Sequence, residues 1–70
     1  MIKIIFTKAD GKKYGVDPYR IIELTEAENP AQTWALINTG VNESVNFKTV
    51  LLGHEIKDIM DTIHKVAIDF

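Results

Sequence analysis

Seventy residues, 46% of them apolar and none a cysteine, make one small globular domain from which disulfides and thiolate metal sites are excluded. A chain this short buries only about 60% of the surface its unfolded form exposes, so a dense core, self-association or both must stabilise it. The net charge of −2 divides into +3 over residues 1–20 and −5 over the remaining fifty, a balance that excludes a general nucleic-acid binder, which needs a broad positive footprint.

Residues 2–7 are predicted as a first strand, with Ile2, Ile4 and Phe6 on one face and Lys3, Ile5 and Thr7 on the other. Ile5 on the second face predicts a strand covered, in part, on both sides. Asp10-Gly11 supplies the positive φ of a tight hairpin turn, and 13–16 returns as a second strand with Tyr14 and Val16 facing one way. Asp17-Pro18 then stops the ladder, because proline offers no backbone donor. The next segment is the most ambiguous. Ile22 and Leu24 alternate imperfectly with polar residues and Ile21 breaks the pattern, so a strand is read over 21–25 with room for one helical turn near Pro18.

Glu28-Asn29-Pro30 reads as a loop, 33–38 as a fourth strand, Asn38-Thr39-Gly40 as a turn, and 44–50 as a fifth strand with Val45 and Phe47 on one face. Short connections make the expected pairing an antiparallel meander. Trp34 is expected as a core anchor, with a binding hot spot as the alternative.

The helix is predicted over 54–67. Leu52, Ile56, Ile59, Met60, Ile63, Val66, Ala67 and Phe70 form its apolar stripe, opposite Glu55, Asp58, Asp61, Thr62, Lys65 and Asp69. The stripe spans an arc of roughly 120°, the width of a helix laid on a core, and all of it is expected to face inward. Gly53 serves as N-cap in the preferred reading; in the alternative Thr49 caps and Gly53 sits inside the helix at about 1 kcal/mol. Ile68 falls outside the stripe, either at a frayed end or as a second apolar contact. The expected fold class is therefore α+β: an antiparallel β-meander of four to five strands with one C-terminal amphipathic helix packed on one face. Ile5, Ile21, Ala35 and Ile37 are expected on the other face, and that exposure predicts a homodimer or higher homo-oligomer.

No chemistry-bearing constellation emerges. His54 and His64, read as helix-surface residues, are ten apart, with directions differing by about 80° and about 15 Å of rise between them. They are expected to be solvated. Ser44 is the only serine, the four glycines are scattered, and no metal-ligand or cofactor motif is present, so neither an enzyme nor a cofactor is expected. The one polar cluster of interest is the basic hairpin tip: Lys8, Lys12 and Lys13, with Tyr14, Tyr19 and Arg20 expected nearby. It suits an acidic protein groove or a phosphate-bearing ligand. Alternatively, the lysines keep the turn soluble and protect an edge strand.

No apolar run approaches the roughly 18 residues that cross a bilayer, and no charged-then-apolar leader opens the chain. A cytoplasmic protein is expected, and Asn42-Glu43-Ser44 is taken as a chance glycosylation match.

The opening Met1-Ile2-Lys3-Ile4, the turn Asp10-Gly11-Lys12, Ile21-Ile22-Glu23 and the closing helix together resemble the FlbD family of small flagellar proteins. The second Asn-Gly turn of that family is represented only by Asn38-Thr39-Gly40, and Val41 to Phe47 is extra sequence. The resemblance implies a non-catalytic accessory protein and transfers no functional residue. The expected function is a non-enzymatic protein-binding module that modulates or inhibits a partner, an accessory or phage-type inhibitory factor. The alternatives are a small-ligand or nucleotide binder using the lysine tip, or a flagellar accessory protein.

Overall fold

The computed structural model describes residues 3–42 and 44–68, the last two by backbone alone. Five antiparallel strands and one C-terminal helix make an α+β fold: β1 (Ile4–Thr7), β2 (Lys13–Val16), β3 (Ile21–Glu26), β4 (Thr33–Asn38), β5 (Phe47–Leu52) and α1 (Ile56–Ile68). The strands form two sheets, β1-β2 and β3-β4-β5.

Local chemistry explains the hairpin. Gly11 adopts φ 90°, a conformation costly to any residue with a Cβ, and the Asp10 carboxylate accepts the Lys12 amide at 2.9 Å. Between β2 and β3 the Asp17 carboxylate accepts the Tyr19 amide and Pro18 opens a 3-10 turn over Pro18–Arg20. That turn redirects the chain, so β2 and β3 do not pair and the meander is divided in two. A seam rejoins the sheets elsewhere. Lys8 bridges Leu52, the Ala9 amide donates to the Leu51 carbonyl at 3.0 Å, and the Gly53 amide donates to the Thr7 carbonyl at 2.8 Å.

One core lies between the inner sheet faces and the helix: Ile4, Phe6, Val16, Ala35, Ile37, Val50, Leu52 and Ile59, with Tyr14, Ile21, Leu24, Ile63 and Val66 packed against it. Thr33 is the one buried polar residue among those described, and its hydroxyl donates to the His54 carbonyl at 2.8 Å. That bond removes the cost of burying it.

Several expectations are corrected. Ala35 and Ile37 are core residues, and Trp34 is 43% exposed, so β4 presents the opposite face to the one expected. Alternation tells which residues share a face but not which face turns inward. Leu52 belongs to β5, which spans 47–52, and Val45 and Phe47 are both exposed. Neither Gly53 nor Thr49 opens the helix. The Glu55 carbonyl accepts from the Asp58 and Ile59 amides, which sets its first turn. Ile2, Phe70 and the side chains of Ala67 and Ile68 lie outside the described residues, so the two readings of Ile68 concern nothing described here.

His54 precedes α1 and is half-buried, contrary to its expected place on a solvated helix surface. Its Nε2 accepts the Thr7 amide at 3.0 Å, which fixes the proton of the neutral ring on Nδ1. Its ring also meets Phe6 edge-on at 5.7 Å between centroids. His54 thus joins β1, β4 and the entry to α1. His64, by contrast, is exposed on the helix as expected.

Candidate functional site

The basic hairpin does not gather the six residues the sequence singled out. Lys8, Lys12 and Lys13 do sit around the turn, but two of them have local partners. Lys8 Nζ lies 3.9 Å from the Asp10 carboxylate, and Lys13 Nζ donates to the Thr7 hydroxyl at 3.3 Å. Tyr14 turns to the inner face, half-buried, with Lys48 Nζ 5.9 Å from its ring centroid. Tyr19 and Arg20 lie at the far end of β2, because an antiparallel hairpin carries the returning strand away from its own tip. Tyr19 is exposed there.

Arg20 is also committed to the main chain. One guanidinium nitrogen donates to the Asn38 carbonyl at 3.1 Å and to the Gly40 carbonyl at 2.9 Å, tying down the loop after β4. Gly40 is buried in that loop, where an added Cβ would overlap the Ser44 carbonyl. The segment after Gly40 is anchored too, by the Thr39 amide donating to the Asn46 carbonyl at 2.8 Å. Arg20 therefore has a structural partner set and is not poised for an anion at the lysine tip.

A cleft lies elsewhere, between β3 and α1. It is an open groove of about 520 Å³. Residues 21–24 of β3 form the strand wall; Ile56, Met60 and Ile63 form the helix wall, with Pro18 and His64 completing the lining. The geometry follows from two local features. A register shift between Ile21 and Glu23 leaves Ile22 without a partner on β4, so Ile21 packs on the core while Ile22 is 51% exposed toward the groove. On the helix, Ile59 is 0% exposed but Met60, about 100° around the axis, is 58% exposed.

The expectation that the whole apolar stripe faces the core is thus corrected. Part of it lines the groove. Sequence reasoning missed this site, although the signal was present in the adjacent pair Ile21-Ile22, which breaks strand alternation and marks the bulge. The groove is predominantly apolar, and Glu23 and His64 are the titratable groups in its lining. Such a lining can receive apolar side chains.

The outer face of β3-β4-β5 mixes apolar and polar side chains, with Trp34 and Phe47 exposed on it. There Trp34 lies opposite Leu51, Leu36 opposite Thr49, and Phe47 opposite Asn38. Among the described residues, no cluster of three or more His, Cys, Asp or Glu could hold a metal ion, and no helix is long and apolar enough to cross a membrane. Comparison with protein-family models, with curated proteins and with solved structures gives no match.

Proposed function

We propose that this chain is a non-enzymatic protein-binding module, cytoplasmic, that modulates or inhibits a partner protein through the groove between β3 and α1. The observation that carries the reading is the pair Ile22 and Met60, large apolar side chains more than half exposed on facing walls of one groove. Facing apolar walls of this kind offer a concave surface that can receive the apolar side chains of another chain. Methionine suits such a wall, since its unbranched, polarizable side chain adapts to different contacts. An accessory role of the kind implied by the FlbD resemblance is compatible with the same surface.

Self-association through the outer sheet face is a second element of this reading. Its described side chains are Glu23, Thr25, Trp34, Leu36, Asn38, Phe47, Thr49 and Leu51, of which only Glu23 at the rim is charged. Two copies can meet there without opposing like charges, and a C2 contact needs only such a self-complementary patch.

One experiment addresses both surfaces. A photo-crosslinking residue placed at Met60 should give one discrete adduct with a second protein in the source cell. The same residue at Trp34 should give a product of about twice the 7.9 kDa chain mass. A diffuse smear from Met60, no stronger than from exposed Ile5, would remove the groove reading. A Trp34 variant that yields no chain dimer at micromolar concentration would remove the self-association.

A further inference from the structure

We infer that the groove takes an extended, lysine- or arginine-bearing segment of the partner protein, which pairs with β3 as an added strand. This inference rests on the groove being the binding surface and names the chemistry of its occupant. β3 is the terminal strand of its sheet. Among the described residues, no hydrogen bond from outside the β3–β4 ladder reaches a main-chain group of Ile22–Glu26. The edge therefore presents donors and acceptors that another strand satisfies. A helix entering the same groove would satisfy its own main chain and leave that edge unpaired. An added strand also sends alternate side chains to one side, where Ile22, Met60 and Ile63 receive the apolar ones.

Charge decides which strand. Residues 21–47 contain four glutamates and neither lysine nor arginine. Glu23 and Glu26 stand exposed on β3, and among the described residues no cation lies within ion-pair distance of either. A second copy of this chain entering by its own β3 would bring the same two glutamates alongside, and like charges across a strand pair are destabilising. Lysine or arginine at the flanking positions of the incoming segment turns that repulsion into attraction. The occupant is thus a basic, apolar-alternating strand rather than a second β3 or an amphipathic helix.

The test is a random 12-residue peptide display library selected on the full chain and counter-selected on Met60→Asp, after both proteins are shown to melt at the same temperature. The expected winners alternate apolar residues with lysine or arginine. A synthetic winner should lose binding when alternate backbone amides are N-methylated, and Glu23→Lys should weaken it about tenfold at low salt. Winners that depend on Met60 but are acidic, or carry apolar residues at helical spacing, or tolerate N-methylation, overturn strand addition and leave the groove as the binding surface. An empty selection overturns this inference as well, and the cross-link from Met60 then decides the fate of the groove itself.

Discussion

Ile59→Ala should destabilise the folded chain by about 2–5 kcal/mol, while Met60→Ala, one residue along the same helix, should cost no more than about 0.5 kcal/mol. Ile59 is fully buried, whereas Met60 is 58% exposed. Removing three carbons at Ile59 takes away apolar burial and leaves a cavity beneath α1 that the strands cannot collapse to fill. A domain of this length holds roughly 4–10 kcal/mol in total, so the loss is a large fraction of it. Urea unfolding of the two variants measures the difference directly. Equal costs would mean that α1 is rotated from the orientation described, and the groove would go with it.

His54→Leu should cost about 1–3 kcal/mol although it preserves the size of a half-buried apolar contact. Leucine can still pack on Phe6. It cannot accept the Thr7 amide, which Nε2 now receives at 3.0 Å where β1 meets the seam with β5. The penalty is that of a donor left without a partner, larger than the net worth of an ordinary hydrogen bond. His54→Gln, whose side-chain carbonyl is an acceptor, should recover part of the loss. If leucine and glutamine melt alike, the hydrogen bond contributes nothing and the ring acts only by packing.

Sequence logic reached some features and not others, for identifiable reasons. Asp10-Gly11 and Asp17-Pro18 were legible because their effects are local: a positive φ and a missing donor act wherever they occur. The α+β class followed from periodicity, which is also local. The inward face of β4 was not legible, because Thr33, Ala35 and Ile37 alternate with Trp34 and Leu36 and both sets are apolar enough to be buried. Only the long-range packing of α1 and β1 chooses between them. The tyrosine–lysine cluster fails for another reason: the returning strand β2 runs away from the hairpin tip and carries Tyr19 and Arg20 to its far end.

The groove was half legible. Ile56, Met60 and Ile63 belong to the eight-residue stripe expected to face the core, yet a stripe of that width says nothing about how much of it a five-stranded core can cover. The irregular Ile21-Ile22 pair was recognised too, but a bulge becomes a binding wall only when a helix lies beside it. Arg20 shows the reverse case. Its charge invited an anion-binding role, and two backbone carbonyls in a distant loop occupy it instead.

On the function proposed for this chain, binding resides in the β3–α1 groove and not at the lysine tip. The most direct test takes the partner identified by the cross-link from Met60 and compares its non-covalent binding to three folded proteins: the original chain, Met60→Asp, and the double variant Lys12→Ala with Lys13→Ala. Partner binding lost at least tenfold in Met60→Asp and retained in the lysine variant is the predicted result. Retention in Met60→Asp, together with nucleotides that raise the melting temperature of the original chain but not of the lysine variant, would contradict it.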